Sequence, residues 1–281
     1  MGNNTNKIKL SIVTVHSNDP LIFQTLDSVY KHVKMPFEYI LVDNPLNKKE
    51  LEEIKEKYPQ LKIIQNPKPY GYARGMNIGL KQATGEFILP LNPDIIVFKD
   101  TINKMVTYME KNKDIALLGP KLLNSDNSIQ YSCRRYPKLS TMLFRRGPLK
   151  NFVKKSKSHY EMYDFNHDEI KNVDWLCGGF LLMRKDLLKN IGYLDEWFFL
   201  YFDDVDFCRR AHKTGKVVYY PNAEAIHNAT CESKTKLIPF LIHIKSMFYY
   251  FLKHKFFPDW CLHKWTGWHK EPWLRKKYQN P

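Results

Sequence analysis

Between Phe87 and Phe98 two short apolar runs, Phe87 to Leu91 and Ile95 to Phe98, are separated by Asn92-Pro93-Asp94. A run that short and β-prone, without polar alternation, suits a strand covered on both faces, as in a parallel sheet flanked by helices. Pro93 has no N–H for a sheet ladder. The strand is therefore expected to stop there and to present Asn92 and Asp94 at its carboxyl edge, where open α/β sheets bind ligands. A carboxylate beside an amide offers oxygen ligands to a divalent cation. Taken alone, the same tripeptide reads as a surface turn capping the next helix.

The preceding residues repeat the strand pattern. Lys9 to His16 reads as a first strand, and Asn18-Asp19-Pro20 opens a helix with Asp19 as N-cap and Pro20 at its first position. Phe37 to Val42 is a second strand ending at Asp43-Asn44-Pro45. A charged helix from Lys48 to Tyr58 leads to a third strand, Leu61 to Gln65. This β-α-β-α-β order with short connections is the mark of a parallel, doubly wound half. Asp43, at the second strand tip, is placed as acids that accept hydrogen bonds from a base or ribose are. Neither a dinucleotide fingerprint nor a P-loop is present. The glycine-rich stretch Pro69 to Gly79 permits close backbone approach. It would put Arg74 near the start of a helix reaching Ala83, where it suits a phosphate or ribose, or is simply solvated. A helix from Asp100 to Lys111, a strand from Ile115 to Leu118 and a turn at Gly119-Pro120 follow.

Residues 124–172 are polar and basic, with Arg134, Arg135, Arg145, Arg146, Lys154, Lys155 and Lys157, and show weak periodicity. Segments of that length are disordered or act as functional lids. Order resumes at Val173 to Arg184, where Gly178-Gly179 feeds a strand, and a short helix ends at Gly192. Rings and aliphatics from Trp197 to Phe202 then run into Asp203-Asp204. Asp203 is placed to N-cap a helix, with Asp204 and Asp206 favoured by its dipole. A carboxylate against that wall of rings also loses hydration, which raises its pKa and makes it a usable general base. His227, at the end of a further strand, is more often a satisfied structural histidine than a ligand.

The net charge of +15 points to an anionic partner. No RNA-binding pattern accompanies it, so nucleic acid is not expected. Five cysteines, odd in number and without metal spacing, read as reduced thiols in a cytosolic protein. The polar N-terminus carries no leader. The longest apolar run, Leu237 to Leu252, is shorter than the roughly 20 residues a spanning helix needs. Past it lie Trp260, Trp265, Trp268 and Trp273 with Lys264, Lys270, Arg275, Lys276 and Lys277. That mixture suits an interfacial anchor on an anionic membrane or a partner-protein contact.

Four stretches, in this order and spacing, resemble one family: Ser11 to His16; Val42-Asp43-Asn44; Gly71 to Gly79 running to Leu91-Asn-Pro-Asp94; and Trp175 to Gly179 with Phe199 to Asp206. They are similar to the family 2 glycosyltransferases of GT-A fold, in the rhamnosyltransferase-like branch, over roughly residues 8–230. The resemblance implies a Rossmann-like, mostly parallel central sheet with helices on both faces. It also implies inverting transfer of a sugar, L-rhamnose the leading guess, from a nucleotide-diphosphate donor. Asp94 would contact a divalent metal, Mg2+ or Mn2+, with His227 close to metal and diphosphate. Thr14, Val15, Asp43, Arg74, Asn77, Asn92 and Asp94 would bind the donor. Trp175, Gly178, Gly179 and Asp203 would meet the acceptor, and Asp204 would be the catalytic base. Asn92 departs from the family's first acid, and Pro45 from the small residue usual after Asp43-Asn44.

Residues 1–231 would form the catalytic domain, with 124–172 as lid or acceptor region. Residues 232–281 would be a helical, basic-aromatic extension binding membrane or partner. The acceptor would be a glycan or lipid-linked saccharide used in surface polysaccharide synthesis, and the protein would sit peripherally on the inner face of the cell membrane. The alternative is a catalytically silent sugar-nucleotide-binding protein of the same fold.

Overall fold

The computed structural model describes residues 8–17, 19–44, 48–144, 152, 154–229 and 237–254. The Trp-rich tail, Cys231, Cys261, Arg145, Arg146 and Pro45 lie outside the described residues.

The chain runs β1 (Leu10–His16), α1 (Ile22–His32), β2 (Phe37–Asp43), α2 (Lys48–Lys57), β3 (Lys62–Gln65), α3 (Tyr72–Gln82), β4 (Phe87–Pro90), β5 (Ile95–Val97) and α4 (Thr101–Lys111). It continues through β6 (Ile115–Leu123), β7 (Ile129–Gln130), β8 (Cys133–Arg134), α5 (Leu139–Phe144), α6 (Lys154–Tyr160), β9 (Lys171–Asn172), β10 (Trp175–Leu176) and β11 (Leu182–Arg184). Last come α7 (Lys185–Ile191), α8 (Asp203–Ala211), β12 (Lys216–His227) and α9 (Leu237–Lys253). The main sheet has the order β3-β2-β1-β4-β11-β6-β12-β5, with β7 added to β6 and β9 to β12. β1, β2, β3 and β4 pair in parallel, as do β6 and β12, whereas β11 runs antiparallel between β4 and β6.

Alternation along β1 explains the two layers. Leu10 and Ile12 face a core shared with Ile22, Leu26 and Val29 of α1 and Met105 and Met109 of α4. Val13 and Val15 face the opposite core, with Met76 and Leu80 of α3, Val205 and Phe207 of α8, and Met247, Tyr250 and Phe251 of α9. Both faces are apolar because both are covered, as the unalternating runs imply.

Several boundaries differ from expectation. The α1 helix begins at Ile22, not at Pro20: Asp19 Oδ1 accepts from Leu21 N at 2.9 Å, so Asp19 caps a turn ahead of the helix. The glycine-rich stretch is mostly helix. Gly75 and Gly79 lie inside α3, where a Cβ on Gly79 would overlap Val13 Cγ1 and sit 2.9 Å from Val42 Cγ2. These glycines bring α3 tight onto β1 and β2. The β6 strand runs straight through Gly119-Pro120 to Leu123, pairing Pro120 with Tyr220, so no turn occurs there. Residues 124–172 hold β7, β8, α5, α6 and β9. No helix among the described residues is long and apolar enough to cross a membrane.

Candidate active site

The site grows out of the reversed strand β11. Because β11 starts where β4 ends, the residues just before it lie on the carboxyl edge of the sheet. Leu91 forms a bridge with Phe180, and Asn92 N donates to Gly179 O at 2.9 Å. Gly178 and Gly179 therefore sit against the Asn92-Pro93-Asp94 tip. A Cβ on Gly179 would stand 2.9 Å from Asn92 Nδ2 and 3.4 Å from His227 Cε1. Only glycine fits between that amide and that ring.

On its other side the dipeptide meets α8. Gly178 N donates to Asp204 Oδ2 at 3.0 Å, and a Cβ on Gly178 would sit 3.0 Å from Asp204 Cβ. Tyr201 and Phe202 have φ of 68° and 64°, left-handed values that non-glycine residues adopt at a cost. They turn the chain so that Asp203 and Asp204 open α8 at the sheet edge. Phe202 occupies the N-cap position and makes no side-chain cap bond, so Asp203 is the first helical residue, not the cap. A narrow cavity between α3 and α8 is lined by Tyr72, Pro90, Gly178, Asp203, Asp204 and Phe207.

Burial raises the Asp203 carboxyl well above the usual range, and the neighbouring Asp204 charge adds to the rise. Burial also raises Asp204, partly offset by the N–H groups of Gly178 and Val205 and by the charge of Arg134. The Tyr72 hydroxyl approaches Gly178 O at 3.5 Å, and burial together with the charges of Asp203, Asp204 and Asp94 raises its pKa. One phenol thus feels both acidic tips.

At the Asp94 tip, His227 Nε2 stands 3.4 Å from Asp94 Oδ1. Asp94 Oδ1 and Asn92 Oδ1 are buried and accept no hydrogen bond. An orphaned carboxylate oxygen 3.4 Å from an imidazole nitrogen, with the unpaired Asn92 oxygen on the same tip, fits the oxygen-rich donor set of a hard divalent cation. Among the described residues no three His, Cys, Asp or Glu side chains gather in a metal-binding arrangement. Asp94, His227 and Asn92 would be the protein's share.

The remaining expected residues divide. Asp43 is buried at the tip of β2, beside Asn44, whose side chain bonds Ser17 Oγ, Tyr70 O and Asn66 Nδ2. Val15 is buried at the adjoining end of β1 and meets Gly75. Arg74 is half exposed, stacked 4.0 Å from the Tyr70 ring centroid and 3.9 Å from Glu196 Oε2.

Three side chains face inward. Thr14 is fully buried and its hydroxyl bonds Leu91 O at 2.7 Å and Tyr39 Oη at 2.8 Å, so it ties β1 to the Asn92 tip instead of meeting a ligand. Asn77 holds Leu194 through both backbone groups, at 2.8 and 3.0 Å. Its amide also donates to Glu196 Oε1 at 3.1 Å and anchors the segment leading to Asp203. Trp175 is buried, its Nε1 bonded to Arg135 O at 2.9 Å, with the Arg134 guanidinium 5.4 Å from its ring centroid. It supports the cleft from behind. Tyr72, Arg134 and Gln130 are neighbours of the site that sequence reading did not single out. Arg134 had a signal in the basic stretch; Gln130, in a two-residue strand, had none.

The family model described as glycosyl transferase family 2 matches residues 11–192. Among similar proteins is the rhamnosyltransferase WbbL of Escherichia coli, 26% identical over 259 residues, covering 87% of this chain and 92% of that protein. Another is the N-acetylglucosaminyl-diphospho-decaprenol L-rhamnosyltransferase of Mycobacterium tuberculosis, 24% identical over 233 residues, 77% of this chain and 75% of that one. Among solved structures, GalNAc-T7 with UDP, GalNAc and Mn2+ superposes with a TM-score of 0.60 at 19% identity, covering 80% of this chain. The chain spans 45% of that protein's length. Likeness at this identity bears on the fold, which is GT-A.

Proposed function

The chain belongs to glycosyl transferase family 2 and is a glycosyltransferase, and from that premise we propose an inverting, metal-dependent transfer of L-rhamnose from a nucleotide-diphosphate donor to a glycan or lipid-linked saccharide. The observation that carries this reading is the meeting of two tips on one dipeptide: Asn92 and His227, the latter 3.4 Å from Asp94, lie against Gly179, and Asp204 against Gly178. The rhamnosyltransferase relatives support the choice of sugar, and the diphospho-decaprenol relative supports a lipid-linked acceptor.

In this reading the donor lies along the carboxyl edge of the sheet, its base toward Asp43 and its diphosphate toward Asp94 and His227. A divalent cation held by Asp94, His227 and Asn92 supplies charge neutralisation for the departing diphosphate. Asp204, fixed by two backbone N–H groups, takes the proton of the acceptor hydroxyl as that oxygen attacks the anomeric carbon from the face opposite the leaving group. Burial keeps its carboxylate basic enough for that task. Asp203 lines the same cavity, its carboxyl raised by burial and then by the Asp204 charge, and would face the acceptor. The extension over 232–281 would hold the enzyme at the inner membrane face, where a lipid-linked acceptor resides, with surface polysaccharide the product.

The test is thermal stabilisation of the full chain by a panel of thymidine, uridine and guanosine diphosphate sugars, each with and without Mn2+. Stabilisation by thymidine diphosphate rhamnose that requires Mn2+ supports the reading. Equal stabilisation by all sugars, or none, sinks the rhamnose assignment, and stabilisation indifferent to Mn2+ sinks the metal.

A further inference from the structure

The hairpin joining β6 to β7 carries a chain of polar side chains whose direction is forced at one end. Asp126 is an acceptor, so Ser128, 2.6 Å away, must donate its hydroxyl proton to it. Ser128 Oγ then accepts, and it does so from Asn124 Nδ2 at 2.9 Å. Asn124 is thereby turned to present Oδ1, which accepts from Gln130 Nε2 at 3.2 Å. The same Gln130 Nε2 donates to the backbone carbonyl of His227 at 3.2 Å, and a carbonyl can only accept. Gln130 therefore has one orientation, with Oε1 toward His227 Nδ1 at 2.7 Å.

A carboxamide oxygen cannot donate, so the proton of that short bond belongs to the imidazole. In the neutral ring the other nitrogen, Nε2, then carries a lone pair. That lone pair points at Asp94 Oδ1, 3.4 Å away, an oxygen that is itself buried without a hydrogen bond. In the neutral ring two acceptors face each other, and they repel unless a proton or a metal cation lies between them.

We propose that Gln130 is a positioning residue that holds His227 in its Nδ1–H tautomer, directing the Nε2 lone pair at Asp94 to make a seat for a divalent cation. The seat's purpose rests on the metal-dependent reading above; the tautomer does not. Outer-sphere partners of this kind orient a histidine ligand and are worth about 10–100-fold in metal affinity.

The experiment uses the full chain with its histidine nitrogens isotope-labelled, in alkaline buffer so that the rings are neutral. The His227 signals are assigned by their loss in His227→Ala. Nitrogen NMR then reads which ring atom carries the proton, and calorimetry reads Mn2+ affinity in the presence of UDP. The parent is expected to be protonated at Nδ1. Gln130→Met, which fills the same space without an acceptor, should lose that preference and bind Mn2+ about 10–100-fold more weakly. Gln130→Glu, which keeps an acceptor toward Nδ1, should retain both; each variant also loses the Nε2 donor to Asn124 and to the His227 carbonyl, so both should melt somewhat below the parent, and the tautomer separates the role from that loss. A parent protonated at Nε2, or a Gln130→Met protein with the parent's tautomer and Mn2+ affinity, overturns the proposal. An Nδ1–H parent that loses its tautomer in Gln130→Met yet binds no Mn2+ upholds the positioning role and removes the metal reading instead.

Discussion

Asp204→Asn isolates the proposed base with little change of shape. The parent carboxylate accepts two backbone N–H groups, Gly178 at 3.0 Å on Oδ2 and Val205 at 2.8 Å on Oδ1. A carboxamide has one oxygen, so one of those donors must face an NH2 group and lose its partner. A buried donor left unpaired costs about 1–3 kcal/mol, so the variant should fold with a lowered melting temperature. The effect on chemistry is larger. Removing a general base costs about 10²–10⁴-fold in turnover, or about 3–5 kcal/mol of barrier. The KM for the donor should barely move, because the proposed seat of the donor's diphosphate is the other tip. The measurement is nucleoside diphosphate release with acceptor present, across pH. Burial raises the parent's carboxyl, so its protonated, inactive form persists to higher pH than for an ordinary aspartate. Turnover should therefore climb with pH through an elevated value, and that limb should vanish in the variant. Turnover within about tenfold of the parent, or an unchanged acidic limb, removes Asp204 from the role.

Asp94→Ala should abolish the Mn2+-dependent part of donor binding while leaving metal-free nucleotide binding intact; calorimetry showing undiminished Mn2+-dependent affinity refutes that assignment. Gly79→Ala would drive a methyl into Val13 and Val42 and should cost about 1–3 kcal/mol in urea unfolding; a variant as stable as the parent would mean α3 can lift off the sheet freely. Asp206, fully buried on α8, accepts from Arg210 Nε at 2.9 Å and His254 Nε2 at 2.9 Å and pairs with Lys253 at 2.7 Å. Burial alone would raise its carboxyl, but the His254 hydrogen bond and the charges of Lys253 and Arg210 hold it well below the usual range. A depressed carboxyl stabilises the fold above the unfolded-state value of about 4 and loses that contribution as pH falls below it. Asp206→Ala should cost about 3–5 kcal/mol near neutral pH and flatten this acid dependence; equal acid lability in both proteins refutes it.

The inner strands of the parallel half were legible because they are apolar without alternation: Leu10 to His16 and Phe87 to Pro90 are buried on both faces. The start of α3 was not. Gly75 and Gly79 look like loop residues, yet they mark where a helix must lie closer to a sheet than any side chain allows. Gly119-Pro120 looks like a turn, yet β6 tolerates it and pairs onward with β12 through an irregularity between Tyr220 and Glu224. At the site, acids ending apolar runs were readable from local pattern. Thr14 and Asn77 were not, because whether a hydroxyl or amide is spent inside the protein depends on contacts 77 and 117 residues away. Gln130 was invisible for the same reason, being 97 residues from the ring it orients.

Gly178 and Gly179 are consecutive, so one peptide unit separates the groups they brace. The span between the Asn92 tip and the Asp204 carboxylate is therefore measured out by covalent bonds. In the proposed reading, swapping side chains elsewhere in the cleft would retune which sugar or alcohol enters. It would leave that ruler untouched, and with it the in-line geometry that inversion would require.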